Sequence, residues 1–414
     1  MSGYAMRRPS PVARVLRDRR PDLRNVPSRP LRIALFSGNY NCVRDGANQA
    51  LNRLVGHLLN EAGAQVRVYS PTAREAAFPP TGELVSVPSI GIPGRPEYRL
   101  ALGLPKTIRR DVRRFAPDIV HLSAPDLLGR SAQHFARTLG IPVVASLHTR
   151  FETYLDYYGL RMLREGIERY LHRFYTGSDR VLAPNAPIAE ELRAAGLGER
   201  VGIWGRGVDR TIFTPDRRDP EWRRSLGYAD DDVIILFFGR AVREKGLDIF
   251  ARTIEAVRSG GHRIRPLIVG DGPGRDGFAR QLGNATFLGH LSGAALGRAV
   301  ASADVMLNPS TTEAFGNVTL EAMAAGLPIV SADAPSARAL IDHGRTGLLV
   351  SPNTVEAYAA ELDRMIRMPD RRTALGCAAA AEASRYEWAD ILDQVVDIYR
   401  DCLSRPLDQK PSAV

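Results

Sequence analysis

Short apolar runs alternate with amphipathic stretches from residue 31 almost to the end of the chain. Apolar runs of about four to eight residues bounded by turn formers read as buried strands, and longer stretches with apolar positions three and four apart read as helices. LRIALFSG (31–38) predicts the first strand, and a helix follows from about Gly46, with Leu51, Leu54, Val55, Leu58 and Leu59 on one face. QVRVYS (65–70), PDIVHLS (117–123), IPVVASLH (141–148) and DRVLAP (179–184) predict further strands, with helices over 126–139 and 187–195 between them. Near residue 200 the alternation pauses in a Pro-, Asp- and Arg-rich stretch. It resumes with DDVIILFFG (231–239), a helix over 245–257, then RPLIVGDGPG (265–274), NATFLG (284–289), ADVMLNPS (303–310) and LPIVSA (327–332).

Such alternation predicts α/β architecture: two Rossmann-like, doubly wound parallel-sheet domains with a cleft between them. The expected division is a tail at 1–30, a first domain at 31–200, a linker at 201–230, a second domain at 231–384, a helix at 385–403 and a short tail at 404–414. The helix carries Trp388, Ile391, Val395, Ile398 and Tyr399 toward one side. Ligands of doubly wound sheets bind beyond the carboxyl ends of the strands, and each motif below stands at such an end.

A chain of 414 residues suits two domains, and 44% hydrophobic content fills two cores. No apolar run reaches the eighteen or so residues of a membrane span. The Arg-rich N-terminus lacks the apolar core of a secretory signal. Cys42, Cys377 and Cys402 lie far apart without metal-ligand spacing and read as reduced thiols of a cytoplasmic protein. The net charge of +10 is uneven: residues 1–30 carry +6, 31–200 carry +6 and 201–414 carry −2. The tail reads as disordered. An anionic membrane surface fits the basic first half better than nucleic acid, for which no zinc-finger, RNA-binding or basic heptad signature is present. LPKTIRRDVRRF (104–115) predicts a helix bearing Lys106, Arg109, Arg110, Arg113 and Arg114. It either rests on an anionic leaflet or is the solvated face of a sheet-packing helix.

EAFGNVTLEAMAAG carries the strongest chemistry. Glu313 and Glu321 stand in a strand–turn–helix passage where free N–H groups at the helix start form an anion site. Asn317 is the expected cap, Val318 to Leu320 the expected N–H donors, and Glu321 the expected first-turn carboxylate. The alternatives are dipole compensation for Glu321 and a solvated loop for Glu313. In GRAVREKGLD (239–248), Gly239 and Arg240 end a strand and Lys245 opens a helix, where a cation is disfavoured unless an anion faces it. VGDGPG (269–274), with Gly270 and Gly272, looks superficially like a dinucleotide fingerprint but follows an internal strand, so it reads as a tight turn lining the cleft. Asp45-Gly46 forms the turn into the first helix, and Gly46 serves either a ligand or close helix–strand packing. His148 ends a buried strand in SLHTRFETY, and Arg206 and Asp209 stand in WGRGVD; these two, with Asp45, are candidates to line the cleft, the alternative for the WGRGVD pair being an interdomain salt bridge.

The EAFGNVTLEAMAAG run resembles the signature of glycosyltransferase family 4, and the likeness extends over roughly residues 31–400. The family implies the GT-B fold, a last helix crossing back to the first domain, and retaining transfer from a nucleotide-diphosphate sugar. The resemblance implies that Glu313 contacts the donor sugar and Glu321 the ribose, that Arg240 and Lys245 hold the diphosphate, and that Phe315, Gly316, Asn317, Val318 and Thr319 complete the donor pocket with Gly239, Gly270 and Gly272. It implies that Gly46 approaches donor phosphate and that His148 contacts the sugar near the reacting carbon. SLHT and WGRGVD resemble bacterial mannosyl-, glucosyl- and sulfoquinovosyl-transferases acting on lipids.

These likenesses give the expected activity: hexose transfer from GDP-mannose, or next a UDP-sugar, to a hydroxyl of a glycolipid or lipid-linked glycan. Arg240, Lys245 and the helix start would stabilise charge on the leaving phosphate. No metal and no cofactor are expected, and the expected location of the protein is the cytoplasm, either free or peripheral on the inner face of the cell membrane. The alternatives are a soluble acceptor, a GT-B sugar-nucleotide epimerase lacking the Glu313/Arg240/Lys245 ensemble, and a silent glycan-binding scaffold that has lost one of the three.

Overall fold

The computed structural model describes residues 29–43, 45–92, 95–149 and 161–404, apart from the side chains of 95–97 and 161. The basic tail, but for Arg29 and Pro30, and residues 405–414 lie outside the described residues, as does RFETY of the His148 motif.

The first domain is built on β1 (Arg32–Phe36), β2 (Gln65–Ser70), β3 (Glu83–Ser86), β6 (Ile119–Leu122), β7 (Val143–Ser146), β8 (Arg180–Ala183) and β9 (Val201–Ile203), with β4 (Ser89–Ile92) and β5 (Arg95–Ala101) between β3 and β6. Its sheet runs β3-β2-β1-β6-β7-β8-β9, every pair parallel. The second domain holds β10 (Val233–Phe238), β11 (Ile264–Val269), β12 (Thr286–Gly289), β13 (Val305–Asn308), β14 (Ile329–Ala332) and β15 (Leu348–Val350). Its order is β12-β11-β10-β13-β14-β15, again parallel.

Helices cover both faces of each sheet, so inner strands such as VIILFF of β10 are apolar throughout instead of alternating. In both sheets the chain winds outward in two directions from a central strand. Ile33 pairs with Val66 on one side and Ile119 on the other, and Ile235 pairs with Pro266 and Val305. The crevices at these switch points open at the strands' carboxyl ends, where the motifs stand.

Three features escaped the sequence pattern. β9 and the helix Pro220–Ser225 fall inside the stretch expected to be a linker, and β9 pairs with β8 in the first sheet. β4 and β5 form an antiparallel hairpin. β3 extends the first sheet at its edge.

The basic helix is present as Lys106–Phe115. Its Ile108 and Val112 are buried in the first core, and Arg109 and Arg113 stack on Phe135. Its apolar side therefore packs on the sheet and is not free to enter a leaflet; the basic side alone faces outward. The last helix, Trp388–Ser404, buries Ile391, Leu392, Val395, Ile398, Tyr399 and Cys402 among Ile33, Leu35, Leu51 and Leu54 of the first domain. Among the described residues no helix is long and apolar enough to cross a membrane, and none of the three cysteines is in a disulfide.

Candidate active site

Lys245 and Glu313 come from loops after different strands, and their side chains form an ion pair, Nζ to Oε1. The backbone forces the meeting. Ser310 Oγ and Thr312 Oγ1 each donate to the carbonyl of Glu244 at 3.3 Å. Gly246, in the left-handed region at φ 73°, lies so close to Pro309 that a Cβ would stand 2.9 Å from its ring. The loop after β13 is thereby stitched to the turn before helix Leu247–Ser259, and both charges stay half-buried.

Arg240 follows β10 after Gly239. It is exposed, and its Nη1 donates to Tyr98 Oη of β5 at 3.4 Å across the cleft. The glycine turn supports this arginine from behind. Ala241 N donates to the carbonyl of Asp271 at 2.9 Å, and Gly274 N to that of Ala241 at 2.8 Å. Gly270, at φ 129°, packs directly on Gly239. Gly239 in turn lies beside Val318, whose Cγ1 would be 3.8 Å from an added Cβ.

The helix Asn317–Ala324 begins one residue earlier than the sequence suggested. Gly316, at φ 95°, is its N-cap, and Asn317 is the first helical residue. The N–H groups of Thr319 and Leu320 turn back to the carbonyl of Gly316 at 3.0 and 3.1 Å, which leaves those of Asn317 and Val318 as the ones helix geometry frees. Glu321 consequently sits in the second turn, not the first. Thr319 points inward: it is buried, and its hydroxyl takes the amide of Asn308 at 3.1 Å. Phe315 is likewise buried in the second core.

The first domain supplies the opposite wall. Asp45 caps the helix Gly46–Asn60 by accepting from Asn48 N at 2.8 Å. Burial pushes its carboxyl up, against those N–H groups and the charges of Arg240 and Arg206. Gly46 touches the second domain, for a Cβ there would meet Asn317 Nδ2 at 2.1 Å. Asn185 makes a second bridge, its amide donating to the carbonyl of Ala314 at 2.8 Å.

His148 does not offer a free ring nitrogen. Nδ1 faces Arg206 Nη2 at 2.7 Å and Nε2 faces Ser146 Oγ at 2.8 Å. Burial, with the Arg206 charge beside it, holds its pKa well below the ordinary histidine value. Asp209 lies 3.8 Å from Arg53, the kind of ion pair given above as the alternative to lining the cleft, and accepts from Thr211. Tyr98, Asn185 and Arg53 were missed from sequence because each acts through a contact distant in the chain.

Glu321 is the most perturbed carboxyl of the cleft. Burial pushes it up to about 8 from 4.5, opposed by the charge of Arg53. A carboxyl whose folded-state pKa is raised is protonated in the native state while the unfolded chain has already lost that proton. Stability therefore falls as pH climbs from 4.5 toward 8. Glu321→Gln should flatten that part of the curve, checked as Tm against pH for both proteins; parallel curves would refute the assignment of the slope to Glu321.

Comparison with known proteins agrees with this architecture. Residues 44–212 match the model described as Glycosyltransferase Family 4, and residues 232–368 the one described as Glycosyl transferases group 1. Over 380 residues the chain is 33% identical to a GDP-mannose-dependent alpha-mannosyltransferase of Mycolicibacterium smegmatis, covering 91% of this chain and 98% of that protein. It is 31% identical over 374 residues to a sulfoquinovosyl transferase of Arabidopsis thaliana, covering 87% and 72%. The solved sucrose-phosphate synthase of Thermosynechococcus elongatus superposes with a TM-score of 0.70 at 20% identity, over 89% of this chain and 98% of that one. Fold and cleft define a GT-B glycosyltransferase that draws on a nucleotide sugar. The chain belongs to the group 1 glycosyltransferases of family 4.

Proposed function

We propose that the protein is a retaining, metal-independent mannosyltransferase that moves mannose from GDP-mannose to a hydroxyl of a glycolipid or lipid-linked glycan. The observation that carries this most is the Lys245–Glu313 pair beside the start of helix Asn317–Ala324. A carboxylate suited to sugar hydroxyls and a cation suited to phosphate stand together at the carboxyl ends of β13 and β10. The name of the mycobacterial relative supports GDP-mannose as donor.

In the transfer, the bond from the anomeric carbon to the β-phosphate oxygen breaks and a bond to the acceptor oxygen forms on the same face. The acceptor's proton passes to the departing phosphate. Arg240, Lys245 and the N–H groups of Asn317 and Val318 answer the charge that grows on that phosphate, which is the work a metal does in other transferases. Retention is carried over from the family. A lipid-bearing acceptor is supported by the outward basic face of Lys106–Phe115 and by Ile90 and Leu102, both exposed, which with Arg109 line a hollow beside it.

The test is a thermal-shift series with GDP, UDP, ADP and their sugar conjugates, each with and without a chelator. A ligand that binds only the folded state raises Tm, and at a fixed concentration a tighter one raises it further. GDP and GDP-mannose should raise it, and the chelator should leave the shift intact. A shift with UDP alone would move the donor, and a shift lost on chelation would overturn metal independence.

A further inference from the structure

Tyr399 of the last helix is joined to the cleft by an unbroken run of hydrogen bonds. Its hydroxyl lies 2.6 Å from His121 Nδ1, and His121 Nε2 lies 2.9 Å from Ser146 Oγ. Ser146 Oγ is 2.8 Å from His148 Nε2, and His148 Nδ1 is 2.7 Å from Arg206 Nη2. Tyr399, His121, Ser146 and Arg206 are all buried. Trp204 closes one side, edge-on to both imidazoles at 5.7 and 5.0 Å, with the Arg206 guanidinium 5.0 Å above its ring.

Counting donors fixes the proton positions. A guanidinium only donates, so His148 Nδ1 presents its lone pair and its single proton sits on Nε2, directed at Ser146. Among the described residues the Tyr399 hydroxyl meets only His121 Nδ1, so it donates there and the His121 proton also sits on Nε2. Two imidazole N–H groups thus converge on Ser146 Oγ, whose own proton goes to the carbonyl of Leu122 at 3.4 Å. Every hydroxyl and imidazole donor in the run is used. A buried network that is fully satisfied resists rotation of any member, because each turn strands a polar group. The Arg206 guanidinium, its Nη1 already donating to the carbonyls of Trp204 and Gly205, belongs to the loop that meets the second domain, for a Cβ on Gly205 would stand 3.7 Å from the Phe315 ring, and the Asp45 carboxylate nearby favours its charged form.

We infer that Tyr399 is a positioning residue for the donor pocket: through His121, Ser146 and His148 it holds Arg206 in one orientation at the cleft wall. The last helix therefore does more than cover the first domain, since its hydroxyl anchors the geometry of that domain's side of the site. The kinetic part rests on the transferase reading, whereas the structural part does not.

The test compares full-length wild type with Tyr399→Phe and with Asp401→Asn. Asp401→Asn loosens the same helix by breaking its 2.7 Å pair with Arg180, which lies outside the run. Two readouts are taken: KM and kcat with GDP-mannose, and the imidazole nitrogen resonances of His148 in histidine-labelled protein. Tyr399→Phe should shift the His148 resonances and raise KM by about five- to tenfold, the effect of one hydrogen bond's loss passed on to binding. Asp401→Asn should lower Tm and leave both readouts at wild type. A Tyr399→Phe protein that loses only Tm, with His148 and KM unchanged, overturns the inference. If Tyr399→Phe folds poorly, Ser146→Ala cuts the run one link nearer the cleft and is read the same way. Absence of transfer by wild type counts against the donor assignment, and the His148 resonances still decide this point.

Discussion

Lys245→Ala should lower kcat for sugar transfer by about a hundred- to a thousandfold, the range found for removing one preorganised group that answers transition-state charge. Glu313→Ala should fall in the same range. The double variant should be little worse than either single one. The reason is geometric: the two side chains are each other's partner, and the loops that carry them are tied through the carbonyl of Glu244. Removing Lys245 leaves the Glu313 carboxylate beside the donor phosphate without its cation, so the site is damaged twice by one change. Residues that act as a unit show this non-additivity. Neither alanine should disturb the fold, since both charges are partly solvated and the stitching is made by Ser310, Thr312 and backbone. The check is a kinetic cycle over the four proteins with Tm beside each rate. Additive losses would mean the groups act on separate events, and near wild-type turnover by either single variant would remove it from the chemistry.

The parts of the site that could be read from sequence are those that a short segment builds for itself. The passage from β13 through Gly316 to the helix is contiguous, and so are Arg240 and Lys245 around the turn after β10. There, residue type and strand end together define the chemistry. The helix start was misplaced by one residue because glycine and asparagine both serve as caps, and only the φ of 95° at Gly316 decides between them. Contacts made by folding alone were not legible. Tyr98 reaches Arg240 from 142 residues away, Asn185 reaches Ala314 across 129, and Tyr399 meets His121 across 278. The hairpin that brings Tyr98 is short and interrupted by Pro96, so no period of two marks it. The basic helix left two readings open, a leaflet or a sheet-packing helix, because whether Ile108 and Val112 are free depends on a sheet that periodicity cannot place; the structure gives the second.

Gly270→Ala should be the most damaging single-methyl change in the second domain. At φ 129° the backbone occupies a region that other residues enter only with strain of about 1–3 kcal/mol. The added Cβ would also stand 1.9 Å from the carbonyl oxygen of Gly239, a backbone atom with no room to yield. Gly239 is held from one side by its own N–H bond to Val269 at 2.9 Å, and Gly270 from the other by its bond to Gly289 at 2.8 Å. Overpacking a fixed contact adds about 1–3 kcal/mol, and the sum is a large share of what a domain has to spare. The variant should therefore melt many degrees lower, with transfer lost as the loop bearing Arg240 moves. Gly46→Ala is the instructive contrast. Its Cβ would meet only the amide end of the Asn317 side chain, which can swing away, so its Tm should stay near wild type while the contact between the domains loosens. The pair distinguishes two uses of glycine in motifs that look alike in sequence. If Gly270→Ala kept its Tm and lost only nucleotide binding, the VGDGPG turn would be a ligand cradle; a collapse in Tm identifies it as the brace behind Arg240.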